Sequence, residues 1–200
     1  MPQSNSPTFP ATENDIAFTK VALPFGWLGN MSAFPVIHQG IRWLTTEHLF
    51  QALRFSHAEQ RREIREQGNP FVAKLKSKGL RKANEHIAGF FNHSPLDETD
   101  LNNMKLMLRL KVAQHELLIR KLVNTQSKPI IEDIGTKKGA RHEFWGARKN
   151  GDTWVGHNRL GNMWMELRNG ILAWKQEAPQ AEGLPPFLLP FTVSGQNSIS

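Results

Sequence analysis

Cysteine is absent from the chain. That excludes disulfides, cysteine–zinc sites and thiol nucleophiles, and it suits a reducing compartment. No apolar stretch is long enough to span a bilayer. The first residues lack the basic segment followed by an apolar run that marks a secretory signal. A soluble, cytoplasmic protein without a membrane partner is expected. Internal repeats are missing, and the histidines do not fall at metal-ligand spacing, so neither a metal nor a cofactor is expected. Lys and Arg are missing from both ends: residues 1–16 and 176–200 hold four acids between them and no basic residue. Of the 200 residues, the span 17–175 therefore carries all 25 basic side chains against 14 acidic ones. A core this basic attracts polyanions such as nucleic acid, nucleotides or phosphorylated sugars.

The two ends also differ in composition. Residues 1–15 are rich in Ser, Pro, Asn and Thr, and residues 177–200 contain Pro179, Pro185, Pro186 and Pro190. Such compositions resist regular packing, so both are read as tails around a single domain over 16–176. Leu184, Phe187, Leu188, Leu189 and Phe191 can still dock on that domain. Within it, Pro35-Val36-Ile37, a Gln39-Gly40 turn and Ile41-Arg42-Trp43 read as a short hairpin. Thr45 or Thr46 can cap a helix beginning at Glu47; Leu49, Ala52 and Leu53 lie on its core side, with Glu47, Gln51 and Arg54 on another face. A charged helix over 58–67 follows. The next helix starts at Asn69-Pro70, with Gly79 as its expected end. A loop covers 83–98. Apolar residues from Leu101 to Leu122 then recur at three- and four-residue steps, with a break near Gln114–His115. Ile130-Ile131 is a strand candidate, Gly135 to Gly146 a loop, and 161–174 an amphipathic helix. The sum is a helix-dominated α+β domain with a small sheet.

Three segments carry the chemistry: Gly26-Trp27-Leu28-Gly29-Asn30; Thr45-Thr46-Glu47-His48-Leu49-Phe50-Gln51-Ala52; and Phe144-Trp145-Gly146 followed by Gly156-His157-Asn158-Arg159-Leu160-Gly161. With Pro70-Phe71-Val72-Ala73-Lys74 and the helical residues Met104, Arg109, Lys111, Gln114, His115, Met163, Met165 and Arg168, this order resembles the NADAR family over roughly residues 25–169. The resemblance implies an α+β N-glycosidase domain. Some members hydrolyse riboflavin-pathway intermediates; others remove ADP-ribose from guanine in DNA, as antitoxins to DNA-modifying ADP-ribosyltransferases encoded with them. Both reactions replace a C1′–N bond with a C1′–O bond. Positive charge builds on the ribose as the base leaves, and a fixed carboxylate stabilises it or orients water. Glu47 suits that role, since a position at a helix start favours the ionised form.

The resemblance further implies Asn30 as a catalytic partner, and Glu143, next to the position of the family's Asp, is the candidate to substitute for that acid. It implies substrate contacts from Gly29, Trp43, His48, Gln51, Lys74 and Trp145, with a phosphate nest from Gly156, Asn158 and Gly161. By composition alone, His48 and His115 read as packed, hydrogen-bonded histidines, Trp145 as a core residue, and Lys74 as one of several solvated lysines. The chain departs from the family in three places. His142 stands where members have Asp, beside Glu143. Leu96 stands where riboflavin-type members have Trp. An extra basic loop, Thr136-Lys137-Lys138-Gly139-Ala140-Arg141, precedes Trp145-Gly146 and adds nucleic-acid-binding candidates in Lys137, Lys138 and Arg141. Removal of ADP-ribose from DNA is the leading expectation. A small phosphorylated N-glycoside and a silent ADP-ribose- or nucleic-acid-binding module are the alternatives.

Overall fold

The computed structural model describes residues 6–137 and 139–193. In chain order its elements are β1 (Thr8–Pro10), β2 (Ile16–Phe18), a 3₁₀ turn (Gly26–Leu28), β3 (Val36–His38), β4 (Ile41–Trp43), α1 (Thr46–Ala52), α2 (Ala58–Arg65), α3 (Pro70–Asn84), α4 (Glu98–Ala113), α5 (Glu116–Val123), β5 (Ile130–Glu132), α6 (Ala140–Trp145), β6 (Arg148–Asn150), β7 (Thr153–Val155), α7 (Arg159–Glu177) and a second 3₁₀ turn (Pro186–Phe191). This is the α+β class, with its strands spread over three small sheets. Among the described residues no helix is long and apolar enough to cross a membrane. The chain divides into two compact units, residues 1–29 with 120–181, and residues 30–119 with 182–200.

In the first unit, β1, β7 and β6 form an antiparallel sheet, and β2 runs parallel to β5 in the register Ile16↔Ile130. Ile131, Ala147 and Trp154 make a buried cluster under this sheet, with Phe9 and Ala11 packed on it. β1 is a departure from expectation, since residues 1–15 read as a tail. Three residues are too short to show an alternating pattern, and the pairing partner of Phe9 is Trp154, far along the chain. Helix α7 packs on β5. Gly161 permits this, because a Cβ there would collide with the Ile130 carbonyl oxygen. Trp164 on α7 donates its Nε1–H to the Leu28 carbonyl at 3.0 Å and meets the Trp27 ring edge-on.

The second unit is built around α1, which packs against α2, α3 and α4. Leu49 and Ala52, the core-side residues of α1, are fully buried. The β3–β4 hairpin forms as expected, pairing Val36 with Trp43. Its turn residues Gln39 and Gly40 both have positive φ, 52° and 74°, the geometry that matches the twist of a tight hairpin. Asn69 caps α3 by accepting from the Phe71 N–H at 2.8 Å, and Pro70 occupies the first turn. The helix does not end at Gly79 but runs to Asn84. A glycine inside an exposed helix costs only about 1 kcal/mol relative to Ala, too little to stop one that is otherwise packed. Asp97 caps α4 through the Asp100 N–H at 2.8 Å, and the expected break falls between α4 and α5. The Pro-rich 3₁₀ turn packs on α4, burying Leu188 completely. The Gln114 side chain fixes it by donating to the Phe191 carbonyl at 2.9 Å.

Candidate active site

The second unit gathers a polar cluster at the start of α1. Glu47 is 6% exposed. Its backbone N–H donates to the Asn30 carbonyl at 3.0 Å, and its Oε1 accepts from the Gln51 amide at 2.8 Å. Thr46 donates to the Asn30 carbonyl or to its side-chain oxygen, both at 3.2 Å. The Asn30 amide nitrogen lies 3.0 Å from Met104 Sδ on α4. Glu47 and Gln51 are thus joined along one face of α1, as their four-residue spacing predicts, and Asn30 is tied to the start of that helix. Thr45 occupies the N-cap position without a side-chain cap. Its hydroxyl instead meets His48 Nδ1 at 2.9 Å.

His48 is turned away from that cluster. Its Nε2 lies 2.8 Å from the Gln67 carbonyl, and the ring is fully buried. A carbonyl can only accept, so Nε2 carries the proton and Nδ1 accepts from Thr45. Burial holds the ring below the usual histidine range, against the opposing pull of the Gln67 carbonyl and the Glu47 charge. Trp43 lies elsewhere again, on a groove of about 390 Å³ that it shares with Leu49, Ala52, Arg61, Arg62 and Arg65. Lys74 on α3 is half-buried.

One residue without an assigned role in the sequence stands out here. Lys111 on α4 is fully buried. It donates to Ser32 Oγ at 2.7 Å, with its ammonium 5.4 Å from the centre of the Phe34 ring. Burial pulls the amine down to about 7, so it can give or take a proton near neutral pH. The signal was present in the sequence. Lys111 falls seven residues after Met104 and three after Leu108, a charge on an otherwise apolar stripe.

The remaining candidates belong to the first unit, together with Gly29, which is half-buried just after the first 3₁₀ turn. Glu143 sits on α6 and is 5% exposed. Its Oε2 accepts from the Ser6 hydroxyl at 2.5 Å, and its Oε1 lies 3.6 Å from Arg148 Nε. His142, at the position of the family's Asp, is exposed. Trp145 is half-buried and meets Phe144 edge-on at 5.1 Å. Two of the three residues expected to form a phosphate nest, Gly156 and Asn158, have their N–H groups engaged by the chain itself. The N–H groups of Gly156, His157 and Asn158 donate to the carbonyls of Pro7, Glu143 and Gly146. Asn158, left-handed at φ 50°, ties down β5, accepting from the Glu132 N–H at 3.0 Å and donating to the Ile130 carbonyl at 2.9 Å. Gly156 (φ 144°) and Gly161 admit this close approach, since a Cβ at either would strike backbone. Of the basic loop, Lys137 is exposed and Arg141 lies in the first turn of α6, two residues before Glu143. Lys138 lies outside the described residues. Among the described residues no group of three His, Asp or Glu side chains is placed to hold a metal ion.

Comparison with known proteins covers both units. The model of the NADAR domain matches residues 17–172. A protein of Shigella boydii named N-glycosidase YbiA is 34% identical over 160 residues, which is 78% of this chain and 88% of that protein. The protein of the same name in Escherichia coli K12 is 33% identical over the same shares. The solution NMR structure of the E. coli protein YbiA superposes with a TM-score of 0.62 at 29% identity, covering 82% of this chain and 88% of that one. The motifs, the domain match and the shared fold agree: this chain belongs to the NADAR family.

Proposed function

We propose that the chain removes ADP-ribose from guanine bases in DNA by hydrolysing the ribose–base N-glycosidic bond. The coarser part follows from the family, whose curated relatives are N-glycosidases: the chain is a hydrolase acting on N-glycosidic bonds. In the reaction the C1′–N bond breaks and its electron pair leaves with the nitrogen, which takes up a proton. Water supplies the oxygen of the new C1′–O bond and releases a proton. The ribose passes through an oxocarbenium-like state, and Glu47 supplies the negative charge that stabilises it. Its backbone is tied to Asn30 and its carboxylate to Gln51, so it need not reorganise as charge develops.

The observation that carries the choice of DNA is the position of Arg141. It shares the first turn of α6 with the buried acid Glu143, four residues after the exposed Lys137. A basic segment beside a candidate acid suits a substrate whose modified base is flanked by phosphates. The replacement of the riboflavin-type Trp by Leu96 points the same way. The backbone of Leu96 turns at φ 70° and donates to Asp100.

The test is direct. The protein is incubated with an oligonucleotide carrying ADP-ribosylated guanine and, separately, with riboflavin-pathway intermediates, and the products are identified by mass. Release of ADP-ribose with regeneration of guanine supports the proposal. Turnover of the intermediates alone replaces it with the small-molecule N-glycosidase.

A further inference from the structure

Behind Glu47 lies a continuous buried hydrogen-bond chain reaching from α1 to α4. Gln51 Nε2 donates to Glu47 Oε1 at 2.8 Å. Gln51 Oε1 accepts from Arg54 Nη1 at 2.9 Å. Arg54 closes a two-pronged pair with Asp100, Nε to Oδ1 at 2.9 Å and Nη2 to Oδ2 at 2.6 Å. Asp100 is completed by the Leu96 N–H at 2.9 Å and by His93 Nε2 at 3.0 Å. Gln51, Arg54 and Asp100 are each 1% exposed or less. The Arg54 guanidinium also lies over the Phe50 ring, 4.5 Å from its centre.

We propose that Arg54 and Asp100 are positioning residues for the N-glycosidase reaction, acting through the Gln51 amide to fix the carboxylate of Glu47. A guanidinium has no acceptor, so Arg54 compels the Gln51 oxygen to face it. That leaves the NH₂ group facing Glu47. A flipped amide would set donor against donor at one end and oxygen against carboxylate at the other. Asp100, fixed by four donors, holds Arg54 where its Nη1 reaches Gln51. It also matches the guanidinium charge, so Glu47 is held by a neutral donor and keeps its own negative charge for the ribose. Buried at this depth, the pair would otherwise be a poor device for stability, since an apolar pair of similar volume often serves as well.

The inference rests on Glu47 being the charge-stabilising group, so the experiment tests the two separately. On whichever substrate the wild type turns over in the product assay, kcat, KM and the pH profile of kcat are measured for four proteins: wild type, Glu47→Gln, Gln51→Leu, and the double variant Arg54→Met/Asp100→Leu. The double variant removes both charges together and leaves no unpaired ion. The expected result is a folded double variant and a folded Gln51→Leu, each with kcat down roughly ten- to a hundredfold, as a slightly misplaced group costs, and KM within about twofold. In both, the acid limb of the profile moves to higher pH, because a carboxylate that loses a donor is harder to ionise. A merely structural role would leave that limb in place. Wild-type kcat and an unmoved limb in the double variant, with Glu47→Gln inactive, overturn the relay alone. Near-normal turnover by Glu47→Gln overturns the assignment beneath it. If the double variant does not fold, Arg54→Lys, which keeps a charge beside Asp100 but loses the two-pronged geometry, takes its place and is decided by the same two readouts.

Discussion

Lys111 is a lysine at a position where helix periodicity asks for an apolar residue, and its energetics follow from that. Its amine is drawn down by burial from an ordinary 10.5 to about 7. Below pH 7 the folded and unfolded chains both hold the proton. Between 7 and 10.5 the unfolded chain holds it and the folded chain has lost it. Stability therefore rises with pH across that window, by up to about 1.4 kcal/mol per pH unit. The contribution is full above 10.5 and is lost as pH falls through 7. Lys111→Met, close in volume and without charge, should melt above wild type at pH 6, with the gap closing as pH approaches 10. Thermal melts of the two proteins at pH 6, 8 and 9.5 check this, and a gap that stays constant would mean the amine remains charged in the fold. The other end of the local chemistry was easier to read. Glu47, Gln51 and Arg54 fall at steps of four and three, which the helix period alone sets on one face. Asp100, which meets Arg54, and His93, which meets Asp100, lie some forty residues further on, and no local pattern announces such partners.

At the scale of elements, legibility tracked length and periodicity. α3, α4 and α7 span fifteen residues or more and carry caps or amphipathic faces that a single sequence displays. The β3–β4 hairpin was readable because its two-residue turn has a required chemistry. β1, β2, β6 and β7 have three residues each, and α6 has six, too few for a period to emerge. β1 is the instructive case, because its segment looks like a tail and behaves as a sheet edge. It pairs with β7 along its length. Just after it, Asp15 accepts from Trp154 Nε1 at 2.8 Å, and just before it, Ser6 donates to Glu143. Deleting residues 1–15 should therefore lower the melting temperature by roughly 5 °C or more, the shift expected from about 2 kcal/mol in a chain of this size. A melting curve of the truncated protein checks it. An unchanged midpoint would mean that β1 contributes nothing to stability and that the segment is a tail after all.

On the scale of the whole molecule the governing quantity is charge, because every Lys and Arg lies within residues 17–175. Net charge alone does not separate a nucleic-acid binder from a soluble basic protein, but salt dependence does. Each phosphate contact releases condensed counterions, and the slope of log affinity against log salt falls by about 0.7 per contact for a single strand. If Lys137, Lys138 and Arg141 grip the phosphates flanking a modified guanine, changing all three to Ala should weaken binding to an ADP-ribosylated single-stranded oligonucleotide. It should also flatten the salt dependence by a slope of roughly two units. Free ADP-ribose has no flanking phosphates, so its affinity should stay within about twofold. Titrations of both ligands at several salt concentrations, for wild type and the triple variant, make the comparison. Equal losses for the two ligands would place these residues on the phosphates of ADP-ribose itself. No loss for either would remove the basic loop from recognition, and the small-molecule N-glycosidase would then be the better account of the chain.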